Sequence, residues 1–264
     1  MHDFAYHRPT SLAAAVRLLD DIDDASALAG GMTLVPTLKL RLAAPAALVD
    51  LGGIAALAGI SVAGDCLEIA AMTTHAAVTA NDHVRTRLPA LAALAGRIGD
   101  PQVRNRGTIG GSVANNDPAA DYPAAVLALD ARVVTDRREI AAADFFRGMF
   151  ATALEPGEII AALRFPLPAR AAYAKFSNPA SGYAIVGVMV AQTRNGVRVA
   201  VTGAGPAVFR ATDIENRLER AFRPSALDGL LIDAATLNDD LHADRAYRAH
   251  LVAVMARRAV AAAA

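Results

Sequence analysis

Two pairs of adjacent glycines, each flanked by hydroxyl side chains, are the positions of this sequence best suited to binding chemistry. The first pair lies within residues 29–33 and the second within residues 108–112. Each predicts a tight loop with exposed amides, because glycine allows positive φ and close backbone approach, so that several N–H groups converge on a diphosphate. Thr33, Thr108 and Ser112 would add hydroxyl donors. The alternative is that each pair is only a turn, since glycine is a common turn residue.

The remaining glycines do not form the dinucleotide fingerprint of a Rossmann domain. No G-x-G-x-x-G follows a predicted strand, and Gly203-Ala-Gly205 is followed by Pro206. Direct NAD binding of the Rossmann type is therefore not supported.

Titratable residues near the glycine pairs have two interpretations each. Asp121 can accept hydrogen bonds from ligand hydroxyls or cap a helix, and the residues alone favour a capping role for Asp117 or Asp121. His75 is a candidate catalytic base, but no second titratable residue is near it in sequence, which favours structural hydrogen bonding instead.

Composition and charge limit the class of protein. The 264 residues contain 26 Lys plus Arg and 26 Asp plus Glu, and 54% are hydrophobic. The balanced charge predicts no nucleic-acid binding. No uncharged run approaches the ~20 residues that span a bilayer, and charges near the N-terminus disfavour a signal peptide, so we expect a cytoplasmic chain without membrane insertion.

Cys66 is the only cysteine of the sequence. It excludes an internal disulfide and any cluster held by four cysteines of this chain. We predict no metal site and no catalytic residue in the chain, so redox chemistry must come from an organic cofactor or from another subunit.

The first two of three segments must position the glycine pairs. Residues 1–58 predict a β-α-β segment with a helix capped by Ser11 and ending near residues 20–24, strands at 26–29 and 47–51, and a second helix at 34–42. Residues 59–167 predict an α+β segment with strands at 60–62 and 66–70 and helices at about 75–80 and 88–98.

The third segment, residues 168–264, predicts a sheet followed by helices. Its strand candidates are residues 173–177, 184–193 and 197–202, with Asn195-Gly196 as a hairpin turn between the last two. The predicted helices are residues 211–222 and 244–262.

Short motifs spread over nearly the whole chain occur together in one known family. They are Ala-Gly-Gly-Met-Thr at 29–33, Met-Thr-Thr-His at 72–75, Asp-Pro-Gln-Val-Arg-Asn-Arg-Gly-Thr-Ile-Gly-Gly-Ser at 100–112 and Asp-Pro-Ala-Ala-Asp at 117–121, with supporting matches at 155–160 and 247–251. Together they resemble the FAD-binding medium subunit of molybdenum hydroxylases of the carbon monoxide dehydrogenase and xanthine dehydrogenase type.

The resemblance implies an α+β fold in three parts. Residues 1–58 and 59–167 would form a two-subdomain FAD-binding domain of the PCMH/vanillyl-alcohol-oxidase type. Residues 168–264 would form a C-terminal domain with a three-stranded antiparallel sheet and helices.

The resemblance also implies which residues bind FAD non-covalently. The diphosphate would lie between the two glycine segments, and Asp121 would bind the ribityl or ribose hydroxyls. Ile160 and Lys175 match positions near the flavin and Tyr183 an aromatic near its ring, although each can instead be an ordinary core or surface residue. The implied set is Ala29, Gly30, Gly31, Met32, Thr33, Ile98, Thr108, Ile109, Gly110, Gly111, Ser112, Asp121, Ile160, Lys175 and Tyr183.

The function that the resemblance implies is electron transfer within a larger assembly. A molybdopterin-binding large subunit would oxidise the substrate, a small subunit would carry two [2Fe–2S] clusters, and this chain would pass electrons through FAD to a quinone or NAD. A dimer of heterotrimers is expected. The alternatives are a stand-alone FAD-dependent oxidoreductase and a non-enzymatic assembly protein that has kept the fold.

Overall fold

The computed structural model describes residues 1–263, and its N-terminal part is a small parallel sheet with two helices. The elements are β1 (Ala5–His7), α1 (Leu12–Asp21), β2 (Ala25–Leu28), α2 (Leu34–Lys39) and β3 (Ala47–Asp50). The strand order is β1-β3-β2. The predicted N-cap is confirmed, because Ser11 Oγ accepts a hydrogen bond from the Ala14 N–H at 3.3 Å. Helix α2 is three residues shorter than the predicted 34–42, and β1 was not predicted.

The middle part is an antiparallel sheet covered by short helices. Its elements are β4 (Ile60–Ala63), β5 (Cys66–Ala70), α3 (His75–Ala80), α4 (Asp82–Arg87), α5 (Pro89–Gly96), α6 (Pro101–Arg106), α7 (Ile109–Asn115), α8 (Tyr122–Ala128), β6 (Arg132–Thr135), β7 (Glu139–Ala141), α9 (Ala142–Phe145), β8 (Phe146–Gly148), β9 (Ala151–Thr152) and β10 (Ile160–Pro166). The main sheet has the order β4-β5-β10-β6-β7, and β8 pairs only with β9. The predicted strands β4 and β5 and the helices α3 and α5 are present.

The second glycine pair lies in a helix, which corrects the predicted loop. Thr108 is the N-cap of α7, with its Oγ1 accepting from the Gly111 N–H at 3.1 Å, and the Gly110 N–H donates to Ala71 O at 2.8 Å. A threonine cap and a backbone anchor on a neighbouring segment outweigh the low helix propensity of two glycines.

The C-terminal part is an antiparallel sheet followed by helices. Its elements are β11 (Arg170–Ser177), β12 (Ala184–Thr193), β13 (Gly196–Thr202), β14 (Phe209–Arg210), α10 (Thr212–Arg220) and α11 (Arg245–Ala262). The three predicted strands are present, and the two-residue β14 extends the sheet to four. The predicted hairpin forms one residue earlier than expected, because Thr193 pairs with Gly196 and leaves Arg194 and Asn195 in the turn.

Strand β12 joins two apolar cores. Val188 and Val190 pack with α11 in the C-terminal core, whereas Met189 and Ala191 belong to the core of the middle part. Alternate residues of a strand point to opposite faces, so the C-terminal sheet is buried on both sides. A smaller third core lies in the N-terminal part. No helix within residues 1–263 has the length and apolar character needed to cross a membrane.

Candidate functional site

A cavity of about 590 Å³ lies where the three parts of the chain meet. Its walls come from the segment between β2 and α2, from the helices of the middle part, and from residues 181–183 beside the C-terminal sheet. Cavities of this size are typical of sites for organic ligands and cofactors.

The first glycine segment offers unoccupied hydrogen-bond donors to the cavity. The backbone N–H groups of Gly30, Gly31, Met32 and Thr33 donate to no acceptor within residues 1–263. Gly31 has a φ of 75°, a conformation that glycine adopts without strain. Thr33 precedes α2 at the N-cap position, yet its hydroxyl makes no capping bond. The segment is therefore a row of free N–H and O–H groups, which suits anionic oxygens.

The second glycine segment allows close packing beside the cavity and offers no free N–H groups at residues 109–112. The N–H groups of residues 109–112 are already bonded to Thr73 O, Ala71 O, Thr108 Oγ1 and Thr108 O. A Cβ atom at Gly111 would lie 3.1 Å from Ala29 Cβ, and one at Gly30 would lie 2.8 Å from Gly107 Cα. The glycines thus allow the two segments to pack against each other, which corrects the expectation that both present free amides.

Asp121 lines the cavity and is almost completely buried. Its Oδ2 accepts from Lys175 Nζ at 2.8 Å and its Oδ1 accepts from the Tyr173 hydroxyl. Burial raises the pKa of the carboxyl, and the Lys175 ammonium and the Tyr173 hydroxyl oppose that rise. Although Asp121 stands at the N-cap of α8, its side chain makes no capping bond. The favoured capping role is therefore wrong for Asp121, because the carboxylate is drawn to β11.

Asp117 stabilises a turn and does not cap a helix. Its Oδ1 accepts from the Ala119 N–H at 2.8 Å, two residues further along the chain, and Asp117 lines the cavity. The capping prediction therefore fails at this position also.

His75 also lines the cavity, and the residue is 4% exposed. Burial, assisted by the positive charge of Arg104, lowers its pKa to about 4, so the imidazole is neutral at pH 7. Its Nδ1 has no hydrogen-bond partner within residues 1–263, and its ring lies 5.3 Å from that of Tyr122. The favoured structural hydrogen bond is therefore absent among these residues.

Most of the residues implied by the resemblance line the cavity, and two do not. Those in its wall are Ala29, Gly30, Gly31, Met32, Thr33, Ile98, Thr108, Gly110, Gly111, Ser112, Asp121, Ile160 and Tyr183. Ile109 is instead fully buried in the core of the middle part, because one side of α7 faces that core and the other side faces the cavity. Lys175 lies behind Asp121 and is outside the wall.

The wall includes residues that the sequence did not single out for the cofactor. They are chiefly Ser26, Leu51, Met72, Gly107, Asn115, Leu154, Glu158 and Ile159. Met72 and Glu158 fall inside the motifs at 72–75 and 155–160, so a signal existed for them. Leu51 and Leu154 carry no local signal, since isolated leucines are commonly core residues.

Comparison with known proteins relates the chain to one group. The model for the FAD binding domain in molybdopterin dehydrogenase matches residues 2–168. The carbon monoxide dehydrogenase medium chain of Hydrogenophaga pseudoflava is 36% identical, with 98% of this chain and 96% of that one covered. The nicotine 6-hydroxylase medium subunit of Paenarthrobacter nicotinovorans is 34% identical, with 97% and 95% covered. A chain in the crystal structure of a cyanide-inactivated Cu,Mo-CO dehydrogenase superimposes with a TM-score of 0.92 at 37% identity, covering 100% of this chain and 98% of that chain.

Proposed function

This chain belongs to the family of FAD-binding domains in molybdopterin dehydrogenases, and we propose that it is the electron-transfer subunit of a molybdenum hydroxylase similar to the carbon monoxide dehydrogenase medium chain. FAD is its cofactor, and molybdopterin and the [2Fe–2S] clusters belong to partner subunits. The observation that carries the proposal is the cavity, which the two glycine segments and Asp121 line together.

The chemistry of the cavity wall fits the parts of FAD. The free N–H groups of residues 30–33 suit the diphosphate. No Lys or Arg occurs among the described residues of the wall, so the backbone N–H dipoles would stabilise the negative charge of the diphosphate. Apolar side chains from Leu51, Met72, Ile98 and Ile160 suit aromatic rings. Asp121 supplies an acceptor for hydroxyl groups.

We propose that FAD is contacted by those residues of the cavity wall that the resemblance implies. Ile109 and Lys175 do not line the cavity, and we propose that they support the wall residues. FAD, when bound, accepts electrons singly and releases them in pairs, and the protein supplies binding and orientation. The cavity lies among all three parts of the chain, so we also propose that the units 1–58, 59–167 and 168–264 act together in holding the cofactor.

We further propose the direction of electron flow. Electrons would pass from molybdopterin through [2Fe–2S] clusters to this FAD and then to a quinone or NAD. The supporting observation is that Cys66 is the only cysteine of the sequence, whereas a [2Fe–2S] cluster is typically held by four. The donor cluster must therefore be on a partner subunit that docks near the cavity.

A fluorescence titration of the chain with FAD tests the site, with a single variant to locate it. Thr33→Val removes a free hydroxyl and keeps the side-chain shape. The loss of one hydrogen bond to an anion predicts a rise in the FAD dissociation constant of about tenfold, since ~1.4 kcal/mol corresponds to that factor.

The matched control is Thr86→Val on α4, where the hydroxyl donates to Asp82 O at 2.7 Å and the residue does not line the cavity. Its affinity for FAD should equal that of the wild type. Absence of FAD binding by the wild type contradicts the proposal, and equal affinities for all three proteins would place the diphosphate away from Thr33.

A further inference from the structure

We propose that the C-terminal sheet completes the cofactor site, with Tyr173 and Lys175 as positioning residues that fix the Asp121 carboxylate in the cavity wall. The inference rests on the proposed function, because it assumes that FAD occupies the cavity. It assigns to β11 a role that the cavity wall alone does not reveal, since neither side chain lines the cavity.

The three side chains form a closed, buried cluster. Each carboxylate oxygen of Asp121 accepts one bond from β11, Oδ1 from the Tyr173 hydroxyl and Oδ2 from Lys175 Nζ at 2.8 Å. The Lys175 side chain is 0% exposed and that of Asp121 is 5% exposed. A carboxylate oxygen can accept a second bond, and because Asp121 is also part of the cavity wall, the remaining capacity is available to a ligand there.

A second set of bonds fixes Lys175 itself. Lys175 Nζ donates to Arg97 O at 3.2 Å, and the Arg97 guanidinium donates to Lys175 O at 2.9 Å. Arg97 follows α5, so this reciprocal pair connects β11 to the middle part of the chain.

The segment that carries Asp121 is also held by the C-terminal sheet. Thr202 Oγ1 on β13 donates to Ala120 O at 2.6 Å, and the Gly203 N–H donates to Pro118 O at 2.7 Å. The backbone of residues 118–121 therefore rests on the ends of the strands. The position of Asp121 depends on the C-terminal part through its backbone as well as through its side chain.

Gly187 on β12 provides the space for this arrangement. It pairs with Lys175 across the sheet, and the Tyr173 ring passes over it. A Cβ atom there would overlap the Tyr173 hydroxyl and lie 2.9 Å from Tyr173 Cζ. A side chain at position 187 would thus displace the hydroxyl from Asp121.

The physical consequence concerns the ionisation of Asp121. A buried carboxylate that loses its cation partner takes up a proton more readily, because burial penalises the charged form. Hydroxyl groups of a ligand donate strong hydrogen bonds to the carboxylate and weaker ones to the protonated acid, so protonation of Asp121 lowers the affinity for such a ligand. The charged and titratable groups that face Asp121 are Lys175 and Tyr173 from β11, Arg97 after α5, Tyr122 on α8 and Tyr183 before β12, and Tyr183 also faces Asp117.

The test measures FAD affinity of the full chain against pH in the wild type and in Lys175→Met, Asp121→Asn and the double variant. Lys175→Met should bind FAD about tenfold more weakly at pH 7, and its pH midpoint for binding should lie about one unit or more above that of the wild type. Asp121→Asn and the double variant should lose this midpoint, because the amide does not titrate. Circular dichroism checks that each variant folds.

Tyr173→Phe keeps the test decisive if Lys175→Met does not fold. It removes one oxygen only, and its midpoint should also move upward, by less than that of Lys175→Met. Parallel pH profiles for the wild type and these variants would overturn the inference and leave the proposed function intact. Full affinity in Asp121→Asn would likewise overturn it, whereas a wild type that binds no FAD refutes both.

Discussion

The glycines of the second segment, residues 108–112, act mainly by leaving space. Gly110 has an ordinary helical conformation, since only Gly31 among the four paired glycines has a positive φ. A Cβ atom at Gly110 would lie 2.8 Å from Ala71 O and 2.9 Å from Ala71 Cα, closer than real Cβ contacts allow. The requirement for glycine therefore comes from the packing of α7 on the segment after β5.

Gly110→Ala should lower the free energy of unfolding by about 1–3 kcal/mol, because overpacking against backbone outweighs the gain in helix propensity, which is at most ~1 kcal/mol. Urea unfolding measures it, with and without FAD. The loss should appear in both conditions, since the clash is within the protein. Gly148→Ala, where a Cβ atom meets nothing within 4 Å, is the control and should change stability by less than ~0.5 kcal/mol. A loss seen only with FAD would mean that the cofactor, rather than Ala71, requires the glycine.

Glu158 connects elements on one side of the cavity. Its carboxylate accepts from Arg138 Nε at 3.0 Å and Nη2 at 2.9 Å, from Thr135 Oγ1 at 2.7 Å, and from the Glu155 N–H at 2.8 Å. These bonds join the β6–β7 hairpin to the turn that precedes β10. Ile159 and Ile160, which follow directly, belong to the cavity wall.

Glu158→Gln should destabilise the protein by about 1–3 kcal/mol at pH 7, because hydrogen bonds to a charged group are lost. The Arg138 hydrogen bond is the main cause that lowers the pKa of Glu158 from 4.5 to about 2. A carboxyl group whose pKa is lowered by folding stabilises the protein fully above its unfolded-state pKa, and it loses this effect as the pH falls towards its folded-state pKa. The difference in unfolding free energy between wild type and variant should therefore persist down to pH 4.5 and shrink towards pH 2.

Urea unfolding at pH 7, 4.5 and 3 measures this trend. Glu155→Gln is the matched control, because its side chain is 58% exposed and also pairs with Arg138, and its effect on the free energy of unfolding should stay below ~1 kcal/mol. A Glu158→Gln difference that is equal at pH 7 and pH 3 would contradict the ionic role.

Elements with a local signal could be predicted, and those without one could not. Ser11 marked the start of α1, and alternating apolar residues marked β12 and β13. The Asp100-Pro101 pair also signals a helix start, and α6 begins there with Asp100 Oδ1 accepting from the Val103 N–H at 2.8 Å, although no helix is predicted over these residues. Strand β1 has three residues at a sheet edge and owes its conformation to pairing with β3.

The candidate site shows the same division. The glycine pairs and Asp121 were found through motifs, and the structure gathers them around one cavity. The bonds of Asp121 to Lys175 and Tyr173 span 54 and 52 residues, and nothing local in the sequence indicates them. The bonds of the Ile109 and Gly110 N–H groups were likewise not predictable, because their acceptors, Thr73 O and Ala71 O, lie about 40 residues earlier.

At the scale of the whole molecule, the chain encloses a cofactor cavity, and three titratable residues of its wall are poorly suited to acid–base catalysis. Asp121 is bonded to Lys175 and Tyr173, and Glu158 is bonded to Arg138. His75 has a pKa of about 4 and is neutral at pH 7. General acid–base catalysis needs a free group with a pKa near the working pH, within reach of the substrate. These three residues therefore favour the proposed electron-transfer function over transformation of an organic substrate.

We therefore predict that the chain works only in a complex with a molybdopterin-binding large subunit and a [2Fe–2S] small subunit, assembled as a dimer of heterotrimers. Co-expression with candidate partners followed by size-exclusion chromatography should give one species that contains all three chains, FAD, iron and molybdenum. The purified chain alone should bind FAD, and an artificial reductant should bleach its flavin absorbance. Oxidation of an organic substrate by the chain alone, at about 1 per second or faster, would contradict this prediction and favour a stand-alone flavoenzyme, whereas a chain that joins the complex without FAD would favour an assembly protein.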